Sequence, residues 1–155
     1  MTIEVHWDVP AERRARYADL DDARVEHTVR AALEEGGRAS LAVSVVFVDD
    51  PALCELHERF LGDASPTDVI SFDLGDDDEG PGGELYVSVD APERSAEAHG
   101  LAVENELLLY VAHGTLHLCG HDDHEEEERR AMRRAELRAL ARVGVALDAA
   151  RHEAS

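Results

Sequence analysis

The chain has 155 residues and is 44% hydrophobic, which suits one domain with a buried core of its own. Aromatic residues make up only 5%, so that core must be built mainly from Leu, Val and Ala. A net charge of −20, from 35 acids against 15 bases, all of them Arg, disfavours long-range attraction to polyanions, nucleic acids among them.

In chain order, TIEVHWDV at residues 2–9 alternates apolar and polar side chains and reads as a first strand. It has neither the basic flank nor the continuous apolar run of a signal peptide. Residues 11–35 carry Leu20, Val25, Val29 and Leu33 at helical spacing, and Gly36-Gly37 closes the segment. LAVSVVFV, 41–48, is a β-branched strand. Asp49-Asp50-Pro51 then supplies a cap and an early proline for a helix reaching Leu61. DVISFDL (68–74) and GELYVSV (83–89) read as strands on either side of an acidic, glycine-rich loop. Helices are expected from Asp90-Ala-Pro-Glu to Gly100, from Leu101 to Cys119, and over 124–142, where acids precede arginines as the helix dipole favours. The expected fold is α/β (α+β): a small mixed sheet of about four strands packed with about five helices in a single domain spanning 1–155. Residues 146–155 are expected to form a flexible tail.

Cys54 and Cys119 lie far apart and suggest no disulfide framework, which fits a cytoplasmic, reducing environment. No segment approaches the roughly 20 apolar residues that span a bilayer, so no membrane partner is expected. The acids cluster at Asp76–Asp78 with Glu79 and at Glu125–Glu128, and read as solvated surface. Arg13, Arg14, Arg16, Arg24, Arg30 and Arg38 leave room for a local basic surface.

The chemistry concentrates in HGTLHLCGHDDH, residues 113–124. His113 and His117 stand four residues apart on the predicted helix, about 40° apart around its axis, so both imidazoles leave one face. Such a pair is a standard divalent-metal ligand pair. Gly120 is suited to the left-handed turn that would bring the chain back, delivering Asp123, with His121 and His124 on either side. The spacing follows the zinc-protease motif HExxHxxGxxH, with Asp123 at its third His and, decisively, Gly114 in place of its general base Glu. Three protein ligands point to an open, catalytic coordination position at the end of the central helix. Cys119, about 200° from His117, reads as a core residue.

HGTLHLCGHDD resembles the signature of the YbeY family of metal-dependent endoribonucleases. SPTDVISFD, 65–73, is similar to a second family motif, and GELYVSVDAPERSAEAHG to the segment between the two. The resemblance covers about residues 3–145. It implies a zinc-dependent endoribonuclease holding one Zn2+ and acting on single-stranded RNA in rRNA maturation, at the 16S 3′ end, and in ribosome quality control. By position, His113, His117 and Asp123 become the ligands, with His124 an alternative third; the family more often has His where Asp123 stands. An RNA-binding arginine is expected before the second motif, but Leu61 occupies that position, and Arg59 is the nearby candidate. Asp68 is either a catalytic acid–base group or a turn-capping acid at a strand start. Thr67 and Ser71 are equally open.

The implied partners are rRNA or other single-stranded RNA and a ribosomal particle whose proteins supply the positive charge this chain lacks. DNA is not expected as a partner. Two other readings stand beside this one: a non-catalytic ribosome-assembly factor stabilised by its metal, and a metallohydrolase of a non-nucleic substrate. The missing Glu at position 114 speaks against a peptidase.

Overall fold

A computed structural model of the chain describes residues 2–62, 67–75, 82–148 and 152. The acidic run at 76–79 and residues 65–66 of the second motif lie outside them. Four strands, β1 (Ile3–Trp7), β2 (Val43–Val48), β3 (Val69–Asp73) and β4 (Gly83–Ser88), form one sheet in the order β1-β2-β4-β3. β1 and β4 both run parallel to β2, and β3 joins β4 antiparallel at the edge. This is the small mixed sheet expected from the sequence.

Strand alternation separates two cores. Val43, Val45 and Phe47 of β2, with Leu85 and Val87 of β4, enter the main core. Val46 and Val48, with Ile70, Phe72 and Tyr86, face the opposite side and meet Leu53 and Leu56 of α3 (Asp50–Leu61). The main face is covered by α2 (Asp22–Gly36) and α5 (Val103–Leu118), while α6 (Glu126–Ala141) packs on both of these helices and α4 (Ala91–His99) packs against α5. Helix α5 is buried nearly all round, as its LLLYVA run requires.

The single helix expected over 11–35 is instead two. A short α1 (Ala11–Arg14) passes into a 3-10 turn at Ala15–Tyr17, and α2 starts afresh behind Asp21, whose carboxylate accepts from the Arg24 N–H at 2.9 Å. The break serves packing. Tyr17 is fully buried and donates its hydroxyl to the Val89 carbonyl at 2.6 Å, and Leu20 follows it into the core. The described residues therefore hold six α-helices, one more than expected. Among them, no helix is long and apolar enough to cross a membrane.

Of the six N-terminal arginines, Arg24 and Arg30 line one surface recess with His27 and Arg142, and the other four are engaged elsewhere. Arg13, Arg16 and Arg38 pair with Asp90, Glu93 and Asp73. Arg14 lies over the Trp7 ring at 3.9 Å and donates to the carbonyls of Tyr17 and Leu20.

Candidate metal centre

The end of α5 explains how the chain returns to its own helix. The Gly120 N–H reaches the His117 carbonyl at 3.1 Å and the His121 N–H reaches Leu116 at 3.0 Å, with Gly120 at φ +92°. These two bonds across a left-handed residue make a Schellman turn, a conformation that residues with a Cβ resist. It reverses the backbone within three residues and brings Asp123 beside the histidines.

Nε2 of His113 and Nε2 of His117 lie 3.2 Å apart, and an Asp123 carboxylate oxygen is 3.9 Å from His113 Nε2. One ligand atom from each of the three residues falls within 4.8 Å of the others. Tetrahedral zinc with ligands at 2.0–2.1 Å would set neighbouring donors about 3.3 Å apart, so this donor set fits one ion with small adjustments. Burial, followed by the neighbouring His113, pushes the His117 imidazole below its ordinary pKa and favours the neutral form a metal needs.

Behind His113 stands Glu136 of α6. Its side chain is fully buried and accepts from His113 Nδ1 at 2.6 Å, which leaves Nε2 with its lone pair toward Asp123 and His117. The same carboxylate accepts from Arg133 at 3.0 Å and His152 at 2.7 Å. These partners outweigh burial and hold Glu136 far below the usual carboxylate range. His152 belongs to the segment expected to be a flexible tail, yet it is 7% exposed and its N–H bonds Asp148 at 2.8 Å.

His113, His117 and Asp123 open onto a cavity of about 440 Å³ that Asp68, Ser95, His99 and Tyr110 also line. Asp68 is half-exposed, 4.0 Å from Arg94, and burial raises its pKa despite that cation. His124 points away, 81% exposed and 3.2 Å from Asp122. Arg59 does not line the cavity; it sits in the last turn of α3, its guanidinium 6.0 Å from the Phe60 ring. Cys119 is half-buried against Gly36, away from the donor set.

Gly114 has a packing reason of its own. Its carbonyl accepts from Ser71 Oγ at 2.8 Å, and a Cβ there would fall 2.8 Å from Val69 Cγ2 and 3.1 Å from Leu85 Cδ2. Position 114 faces the sheet, so a protease-like Glu would meet the core before it met a substrate.

Sequence reasoning passed over Glu106, Glu136, Ser95, His99, Arg94 and Arg133. A signal existed for Glu136: it lies four residues from both Met132 and Leu140, in the middle of α6's apolar stripe. Glu106, Tyr110, His113 and His117 likewise share one stripe, with spacings of four, three and four.

The sequence profile described as "Endoribonuclease YbeY" matches residues 11–144. Endoribonuclease YbeY of Rhodopirellula baltica is 41% identical over 88% of this chain and 72% of its own length. The protein of the same name from Kineococcus radiotolerans is 37% identical, covering 93% of this chain and 90% of that one. The solution structure of TM1509 from Thermotoga maritima superposes with a TM-score of 0.58 at 26% identity, over 92% of this chain and 89% of the other.

Proposed function

The chain belongs to the endoribonuclease YbeY family, and from that premise we propose that it is a metal-dependent endoribonuclease of rRNA processing. It cleaves single-stranded RNA in the maturation of the 16S 3′ end and in ribosome quality control. The observation that carries the reading is the convergence of His113, His117 and Asp123 on the wall of one cavity, with the buried Glu136 fixing the first of them.

In this reading His113, His117 and Asp123 hold one Zn2+, and His124 is not a ligand. The bound ion would supply Lewis-acid polarisation of the scissile phosphate and acidification of water. Glu136 keeps His113 in the tautomer that presents Nε2. Asp68, whose pKa is raised on the same wall, is placed to take up or hand on a proton. Arg94, 4.0 Å from Asp68 although not itself on the cavity wall, takes the place of Arg59 as the arginine to face the phosphate.

The charge of −20 implies weak attraction to free RNA, so we assign the physiological substrate to a ribosomal particle in the cytoplasm, whose basic proteins offset this chain's field. DNA and membranes are not partners.

The test is cleavage of single-stranded RNA and of ribosomal particles by the purified protein, with and without EDTA, alongside elemental analysis and His117→Ala. Cleavage should stop with EDTA, and His117→Ala should lose both metal and activity, at least about 100-fold, beyond the 10–100-fold usual for an outer partner. Helical content should survive chelation; gross unfolding would instead mark a structural metal. Metal-loaded protein that cleaves no RNA, even on ribosomal particles, would sink the proposal.

A further inference from the structure

A second imidazole–carboxylate pair faces the same cavity from the other end of the α5 stripe. His99, the last residue of α4, is one-third exposed and bonds through Nδ1 to Glu106 Oε1 at 2.6 Å. Glu106 is fully buried, and its Oε2 has no partner. Ser95 donates to Glu106 Oε1 at 3.0 Å and also bonds the Tyr110 hydroxyl. A carboxyl group buried at such desolvation cost among His99, Ser95 and Tyr110 fixes those groups in place. His99 is left with Nε2 as its remaining polar ring atom, on the wall that Asp68, Ser95, Leu109 and Tyr110 share with it.

We propose that this end of the cavity is a nucleobase pocket, taking an unpaired base of the nucleotide next to the scissile phosphate, with His99 as its principal contact. The inference rests on the RNA-cleaving reading above and adds what is held beside the cut. Position comes first. Glu106 and His113 are seven residues apart on one helix, about 10 Å along its axis, roughly three rises of a stacked strand at about 3.4 Å each. A base reaching the His99 end from a phosphate at the His113–His117 metal centre must therefore be splayed out of the stack, as single-strand readers hold their bases.

Chemistry decides which part of that nucleotide enters. Asp68, Asp123 and Glu136 line the cavity, Glu106 lies buried behind His99, and the guanidiniums of Arg94 and Arg133 already face carboxylates. A second phosphate would meet mostly negative charge. A base is flat and neutral and carries both donors and acceptors. It finds an imidazole and a phenol with π-faces, a hydroxyl and a carboxyl group, the combination on which single-stranded bases stack and bond. Only a base released from its helix can enter such a recess, so the pocket itself supplies a preference for single strands.

The test is an abasic scan. One RNA oligonucleotide is made with each position abasic in turn. Cleavage is followed as kcat/KM with metal-loaded protein, and binding by fluorescence anisotropy with EDTA-treated protein. One position adjoining the cut should cost about 5- to 100-fold when abasic, the range of one base–aromatic contact. His99→Ala should cost a similar factor on the base-bearing strand, and the two losses together should fall well short of their product. His99→Gln, which keeps a polar group against Glu106, covers the case in which Ala does not fold.

Should no abasic position matter by more than about twofold, or should the two losses multiply, the pocket is overturned. Abasic-sensitive, His99-dependent binding without cleavage would leave the pocket standing and remove the nuclease reading. RNA that is neither bound nor cut removes both.

Discussion

The two ends of the α5 stripe use the same device under different conditions. At each, a glutamate with no exposed side chain sits behind a histidine on the cavity wall, 2.6 Å from its Nδ1. Glu136 has both oxygens engaged, by His113, His152 and Arg133. Glu106 engages one and leaves Oε2 bare. Buried charge is tolerated where partners repay its desolvation, so Glu136 is a settled anion, whereas Glu106 is a buried carboxyl group with one oxygen unpartnered. The difference matches the two tasks. A metal ligand needs a fixed tautomer and a permanent counter-charge, whereas a surface for neutral bases needs only an oriented ring.

The largest expected effect separates the two glutamates directly. Glu136→Ala strands Arg133, His113 and His152 around an empty site and should cost about 3–5 kcal/mol, the usual loss when one partner of a buried ion pair is removed. Glu106→Ala removes a carboxylate already half-unsatisfied, and its partners can turn toward the cavity, so the loss should stay below about 2 kcal/mol. Urea denaturation of the two EDTA-treated variants measures both. Equal losses would break the contrast.

A second pair of substitutions reads metal instead of stability. Glu136→Gln keeps the shape but not the charge and should weaken metal binding about 10- to 100-fold, seen by competition with a chromophoric chelator. Glu106→Gln should leave it within about twofold. The pH dependence follows the same logic. The pKa of Glu136 is lower in the folded chain than the roughly 4.3 of a free Glu, so its stabilisation is complete above that pH and drains away as pH falls below it. In Glu136→Gln this part of the acid sensitivity should vanish, which denaturation midpoints between pH 3 and 7 would record.

Between the two ends lies Gly114, where the helix meets the sheet. Gly114→Ala forces a Cβ into Val69 and Leu85 and should cost about 1–3 kcal/mol through overpacking, despite the better helix propensity of Ala. A stability gain on denaturation would show that the helix can shift outward, and with it the spacing of the two ends.

The sequence carried the local parts of this arrangement well. β2 announces itself by β-branched residues, α3 by Asp49 and Pro51, and the ligand pair by a spacing of four with Gly120 behind it. What it hid were relations across the chain. Glu136 reads as one more charge in an arginine-rich helix until its neighbours Met132 and Leu140 mark it as buried. Nothing in the linear order brings His99 to Glu106, or His152 back to Glu136, because those contacts depend on how α4, α5, α6 and the C-terminal segment pack. The helix break at Tyr17 was hidden for a related reason: the Val89 carbonyl that holds its hydroxyl lies 72 positions away.

The smallest effect concerns Asp68, on the wall that both ends share. Burial raises its pKa, so the folded chain holds this proton more tightly than the unfolded chain, whose Asp titrates near 3.9. The sign is opposite to that of Glu136: Asp68 withdraws stability as pH rises through the window that begins there. Asp68→Asn should accordingly be more stable than the parent at pH 7, by only a few tenths of a kcal/mol because the side chain is half-exposed and solvent screens it. The gain should disappear near pH 3, where both carboxyl forms are protonated, and cleavage should fall although the fold is firmer, as expected of a residue kept for its chemistry. Melting curves at the two pH values decide it. A difference that persists at pH 3 would trace to packing against Arg94, and Asp68 would then no longer stand as a strained acid between the metal and the base.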